Sequence, residues 1–140
     1  MSYRDFSERF LAAMRAGDAA AVGDMLHPDF ELVEAASLPY GGTYRGLDGW
    51  LALTKKVGET FAGFRLSLID YAGDSDDSLV VQFAISGRGR QSGVPFETRV
   101  LEYWRFRDGK LWRIDPFYFD THLIVASIGG PHAPSPAGSG

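Results

Sequence analysis

The chain has 140 residues, with 14 Lys and Arg against 18 Asp and Glu, and a net charge of −4. This size predicts one domain, and the mild acidity argues against nucleic-acid phosphates or anionic membranes as partners. The absence of Cys excludes a disulfide scaffold, thiolate metal ligands and a Cys nucleophile.

Tyr3, Phe6, Phe10, Ala13 and Met14 form one apolar stripe, so residues 3–16 predict an amphipathic helix that Gly17 stops. Asp18 is a candidate N-cap for a shorter helix from Ala19 to Leu26. His27-Pro28-Asp29 ends that helix, and residues 30–36 predict a strand. Pro39-Tyr40-Gly41-Gly42-Thr43 is turn chemistry. Gly46-Leu47-Asp48 opens a third helix, with Trp50, Leu53, Val57 and Phe61 on its apolar face. From Phe64 onward the period changes to two, which predicts strands at 64–72, 79–90, 96–107 and 110–120. Asp108-Gly109 is a hairpin signal. Short turns between neighbouring strands imply an antiparallel sheet, and helices followed by such strands imply an α+β layer fold. Residues 129–140 hold three Pro and four Gly without periodicity and read as a tail behind a domain of residues 1–128. The opening Met1-Ser2-Tyr3-Arg4-Asp5 lacks the layout of a signal peptide, and no apolar run approaches the roughly 20 residues of a membrane span. A cytoplasmic location is the expectation.

Strand phase singles out the carboxylates. Over 96–107 one phase is Phe96, Thr98, Val100, Glu102, Trp104 and Phe106, so Glu102 stands alone among apolar neighbours. The other phase, Glu97, Arg99, Leu101, Tyr103, Arg105 and Arg107, mixes Arg with apolar residues and predicts either a wet face or a homodimer contact. In the first strand Phe30, Leu32 and Glu34 share a phase, which turns Glu34 inward. Burying an ionised carboxylate is costly unless it is paired or neutralised. Two in one cavity leave one protonated at neutral pH, which yields a base and a hydrogen-bond donor from one residue type. The plainer alternatives are a salt bridge from Glu102 to an inward Arg88, a wet sheet edge, or a solvated strand end at Glu34. Asp120 ends the last strand on the phase of Trp112, Ile114, Pro116 and Tyr118. It is a candidate substrate contact, with a turn or cap role as the alternative.

His27, His122 and His132 all fall outside the predicted strands, and none has a second His at ligand spacing, so no metal site is expected. No phosphate loop, dinucleotide fingerprint or Gly-x-Ser-x-Gly elbow is present.

Residues Arg9 to Asp18, with Leu26-His27-Pro28-Asp29 and Val33-Glu34, resemble the opening of the steroid Δ-isomerases. More broadly they resemble the SnoaL-like polyketide cyclases and the nuclear-transport-factor-like fold that contains both. Glu102-Tyr103-Trp104-Arg105-Phe106 with Asp108-Gly109-Lys110 resembles the acid-bearing strand and hairpin of the same family. The resemblance implies a cone-shaped α+β barrel, with N-terminal helices on a strongly curved antiparallel sheet. It also implies that Glu34 stands at the proton-shuttling Asp and Glu102 at the acid of the oxyanion hole, the known case of a carboxylic acid kept neutral by an apolar site. Phe10 replaces the Tyr that supplies the other oxyanion donor in those isomerases. Tyr118 is the first candidate to substitute for it, and Tyr40 the second.

The resulting expectation is a cofactor-independent enzyme with carboxylate acid/base chemistry on an apolar polycyclic or polyketide-like substrate. Its pocket would be lined by Phe6, Phe10, Met14, Trp50, Phe83, Trp104, Trp112 and Tyr118. The rivals on this fold are an epoxide hydrolase or dehydratase, and a non-catalytic binding or dimerisation module. The first is disfavoured because Arg99 lies on the wrong phase to join Glu102.

Overall fold

The computed structural model describes residues 2–129. Most of the predicted tail, and His132 with it, lies outside the described residues.

Helix α1 (Tyr3–Arg15) starts where the Ser2 side chain accepts a hydrogen bond from the Asp5 N–H at 3.1 Å. It stops at Gly17, whose φ of 68° is a conformation open to residues without a Cβ. Its stripe buries Phe6, Phe10 and Leu11. Asp18 caps α2 (Ala19–Met25) by accepting from the Ala21 N–H, as its side chain predicts. Helix α2 then runs straight into β1 (Leu26–Glu34), which begins earlier than the Pro28 signal suggests. His27 therefore lies inside a strand. Its Nδ1 accepts from the Asp29 N–H, and its Nε2 sits 3.4 Å from Asp108.

Beyond a turned loop come β2 (Gly42–Arg45) and α3 (Gly46–Thr60), which buries Trp50 and Leu53. Strands β3 (Phe61–Asp74), β4 (Ser78–Gly89), β5 (Pro95–Arg107) and β6 (Lys110–Tyr118) follow, and α4 (Thr121–Ser127) ends the described chain. The strands form one curved, unclosed sheet in the order β2-β1-β6-β5-β4-β3. Helices packed on that sheet make the expected α+β cone. Phe10, Phe30, Phe61, Phe83 and Trp104 are fully buried between the layers.

Three expectations need correction. The sheet is not purely antiparallel, because β1 pairs with β6 in parallel. The chain reaches that pairing through the whole β2–β5 excursion, a long-range event that local turn signals do not report. Strand β2 and helix α4 were not expected from the pattern. Finally, Trp112 does not share the inward face of Ile114. Phe106 pairs with Leu111 while Arg105 pairs with Arg113, so Trp112 is the extra residue of a bulge. The bulge throws its indole onto the outer face, under the guanidinium groups of Arg107 at 3.7 Å, Arg113 at 4.7 Å and Arg105 at 5.6 Å.

Candidate active site

The concave face of the sheet and helices α1 and α3 enclose a cavity of about 650 Å³. Its apolar walls come from both layers: Phe10 and Met14 of α1, Trp50 and Leu53 of α3, and Phe83 and Trp104 of the sheet. Phe10 meets Trp50 and Trp104 edge-on, with ring centroids at 5.1 and 5.6 Å, so one side chain braces both indoles. Phe6 packs behind this wall against Phe106 and does not line the cavity.

Four buried or half-buried polar side chains interrupt the apolar lining: Glu34, Tyr40, Glu102 and Tyr118. Glu102 is inward because it alternates with Val100 and Trp104 along β5, and its cross-strand neighbours are Val81 and Pro116, both buried. Its Oε1 accepts from the Trp104 indole N–H at 2.9 Å, so its partner is a neutral donor rather than Arg88. Glu34 closes β1 on the phase of Phe30 and Leu32 and is 8% exposed. Its Oε1 accepts from the Tyr118 hydroxyl at 2.7 Å, and that hydroxyl in turn accepts from Tyr40 at 3.2 Å. Tyr40 is held by the preceding turn, in which the Leu38 N–H donates to Ala35 and the Gly41 N–H to Leu38. A Cβ at Gly41 would strike the Ala35 carbonyl, so only glycine lets the chain pass there.

Neither carboxyl meets a cation in this cavity, and both are raised. Burial pushes Glu34 from the ordinary 4.5 to about 8, opposed by the Tyr118 hydrogen bond and reinforced by the charge of Glu102. Burial pushes Glu102 to about 7, opposed by Trp104. Desolvation thus outweighs one neutral hydrogen bond at each site. The charge of one carboxylate helps to hold the proton on the other, so the two protons leave in separate steps. At neutral pH the pair retains about one proton. Tyr118 and Tyr40 are also raised by burial, with the Glu34 charge adding to both, so both stay protonated donors.

The cavity therefore gathers Glu34, Glu102, Tyr118, Phe10, Met14, Tyr40, Trp50, Phe83 and Trp104, all named from sequence. It does not gather Trp112, which the bulge removes, or Asp120. The Asp120 carboxylate caps α4 by accepting from the Leu123 N–H at 3.3 Å. Asp120→Ala is therefore expected to cost about 1 kcal/mol in thermal unfolding and to leave ligand affinity of the cavity unchanged. The Tyr118 hydroxyl is present but is turned to Glu34, so it does not stand as a free replacement for the donor missing at Phe10. Arg99 is on the outer face, over the Phe119 ring at 4.6 Å. Two arginines not singled out from sequence, Arg15 and Arg65, border the cavity. Nothing in their periodicity marks them, since both are exposed positions on their elements. Among the described residues no group of three or more His, Asp or Glu is arranged to hold a metal ion. No described helix is long and apolar enough to cross a membrane.

A family profile described as a SnoaL-like domain matches residues 7–114. An NTF2-like protein from Burkholderia thailandensis is 30% identical over 94% of this chain and 99% of its own, with a TM-score of 0.82. The chain belongs to the SnoaL-like family. Two more distant structures share the SnoaL-like fold. TerC, co-crystallized with polyporic acid, is 24% identical over 87% of this chain and 94% of its own, with a TM-score of 0.74. A protein with a ketosteroid isomerase-like fold from Catenulispora acidiphila, in complex with trimethylamine, is 15% identical over 93% and 96%, with a TM-score of 0.73. No protein of curated function matches the chain.

Proposed function

We infer that this SnoaL-like protein is a cofactor-independent enzyme of isomerase or cyclase type, acting on an apolar polycyclic or polyketide-like ketone. The observation that carries this reading is a pair of raised, cation-free carboxyls facing one apolar cavity large enough for a multi-ring molecule. That TerC and the Catenulispora protein hold small organic molecules supports a ligand site in this fold. A filled core with Glu102 locked in a salt bridge, the hallmark of a purely structural module, is not the arrangement here.

Two raised carboxyls in one cavity supply a base and an acid, and the roles follow the resemblance to the isomerases: Glu34 is the base and Glu102 the acid. The Glu34 carboxylate, steadied by the Tyr118 hydroxyl at Oε1, takes the proton from the carbon next to the substrate carbonyl. Trp104 donates to Glu102 Oε1, which leaves the protonated oxygen to donate to the carbonyl oxygen as that oxygen becomes an enolate. The proton on Glu34 then returns to a different carbon in an isomerisation. In a cyclisation the enolate carbon instead bonds to a second carbonyl carbon, and the new alkoxide takes the proton. Tyr40 and Tyr118 position Glu34 and need not touch substrate.

Exchange of α-protons for deuterium in D₂O, followed by proton NMR over a panel of polycyclic ketones, tests this function. Protein-dependent loss of α-proton signal from at least one member is expected. Tight binding of the same ketones with no exchange would favour a carrier over an enzyme.

We also infer a homodimer through the outer sheet face. Leu101 and Phe117 are cross-strand neighbours there, with Phe117 63% exposed and Phe119 73% exposed, a concentration of aromatic surface typical of interface cores. Sedimentation equilibrium is expected to give twice the chain mass at micromolar concentration, and Phe117→Lys to give the monomer. A wild-type monomer throughout would remove this assembly.

A further inference from the structure

One aromatic donor on the cavity wall is left unused by the protein. The other three are committed. Tyr40 gives its hydroxyl hydrogen to Tyr118, Tyr118 gives its own to Glu34, and the Trp104 indole gives its N–H to Glu102. Trp50 lines the same cavity and is only 9% exposed, yet among the described residues its Nε1–H meets no acceptor. Nor is that N–H sealed. Among the described residues the enclosed side-chain atoms without a partner are Thr98 Oγ1, Arg105 Nε and Arg113 Nε, so Trp50 Nε1 keeps some open surface.

Two contacts fix the ring. Phe10 meets it edge-on with centroids 5.1 Å apart, and Phe10 itself brings no hydroxyl or carbonyl side-chain group to accept the N–H. Gly49, the preceding residue, seats α3 directly on the end of β2: a Cβ there would come 2.7 Å from the Tyr44 carbonyl carbon. The Tyr44 hydroxyl in turn donates to the Tyr40 carbonyl at 2.8 Å, so α3, β2 and the Tyr40 loop are held together beside the cavity. Packing alone does not call for Trp at this position. A Phe ring would also meet Phe10 edge-on, without an N–H that must be taken from water and left unpaired. Buried indoles ordinarily find a partner for that group.

We propose that Trp50 is a ligand-binding residue: its Nε1–H points into the cavity and donates to an oxygen of the ligand other than the ketone that meets the carboxyl pair. This rests on the reading of the cavity as a ligand site and narrows its substrate class. Trp50 belongs to the helix layer, whereas Glu34 and Glu102 belong to the sheet. A molecule between the layers is therefore held at the sheet by its reacting carbonyl and at α3 by a second oxygen. The ligand is a diketone or hydroxyketone on an apolar ring body. A neutral N–H suits this place. It orients an oxygen without adding a positive charge, which would draw the proton off the carboxyls.

Two probes that share one ring system and differ by one ketone test it: 2-acetylnaphthalene and 2,6-diacetylnaphthalene. They are titrated into the full chain, with proton–nitrogen NMR following the three indole N–H signals. Trp50→Phe identifies the Trp50 signal by its loss, and Trp104→Phe with Trp112→Phe identifies it by elimination. The wild-type Trp50 signal is expected to move downfield further with the diketone than with the monoketone. The diketone is also expected to bind about three- to tenfold more tightly, the gain from one neutral hydrogen bond. Trp50→Phe should remove that preference by weakening the diketone. A Trp50 signal that moves no further with the diketone overturns the contact and leaves the cavity reading standing. So does equal affinity of wild type for the two probes, or a preference that survives in Trp50→Phe. Val57→Trp, which plugs the cavity, should abolish binding of both probes and so locates them. Binding that survives Val57→Trp, or no binding of either probe to wild type, overturns both.

Discussion

Glu34→Gln is expected to lower α-proton exchange by roughly 10²–10⁴, the usual contribution of a positioned general base, on whichever ketone the wild type exchanges fastest. The amide keeps an oxygen to accept from Tyr118, so the cavity retains its shape while its proton acceptor is gone. Glu102→Gln is expected to cost less, at most about 10². An amide N–H₂ at that position still donates to an enolate oxygen, and the amide oxygen still accepts from Trp104 Nε1. The wild-type rate is expected to follow a narrow bell in pH: it rises as the pair loses its first proton and falls as it loses the second, near 7 and 8, and both limbs belong to the pair. Rates measured by NMR over about three pH units on either side of neutrality for the three proteins decide the matter. A larger loss in Glu102→Gln than in Glu34→Gln would move the base to Glu102. Full activity in both variants would end the carboxylate mechanism.

The second large effect is on stability. The folded chain holds protons on Glu34 and Glu102 up to about 8 and about 7, whereas the unfolded chain releases them near 4.5. Their contribution to folding is therefore complete below about pH 4.5. It is lost as pH rises from there through the folded values of about 7 and about 8, and is flat beyond them. A tenfold difference in proton affinity between the folded and unfolded chain is worth about 1.4 kcal/mol. Ionising the pair therefore costs several kcal/mol. For a chain of this size that corresponds to roughly 10 °C or more in Tm. Glu34→Gln with Glu102→Gln cannot ionise, so its Tm should exceed that of wild type progressively from about pH 5 to about pH 8.5. Thermal denaturation followed by circular dichroism at closely spaced pH reads this directly. Parallel curves for the two proteins would mean that the carboxyls are already solvated in the folded state.

A stable protein with two poorly solvated acids left without a cation is not what folding alone would select, and the cavity explains the cost. Phe10, Trp50 and Trp104 exclude water from one side of the pair, and the two tyrosines supply donors without supplying charge. An arginine in place of either tyrosine would steady Glu34 and remove its proton at neutral pH.

Much of this was legible in the residues themselves, because the features concerned are local. The stripe of α1, the Asp18 cap and the Gly17 stop follow from helical period and backbone freedom. The inward phase of Glu102 follows from the two-residue period of a long, unbroken strand, and that of Glu34 from two larger apolar neighbours. The tertiary structure alone decided the features that depend on what lies across the sheet. The parallel pairing of β1 with β6 joins segments about 80 residues apart. The bulge beside Phe106 turns Trp112 outward by letting two residues face one, which alternation along β6 by itself cannot reveal. The Tyr40–Tyr118–Glu34 chain forms because a loop, a strand end and another strand converge, so the hydroxyl expected to serve the substrate is committed to a carboxyl. Periodicity determines which face a side chain takes. Packing determines what it meets there.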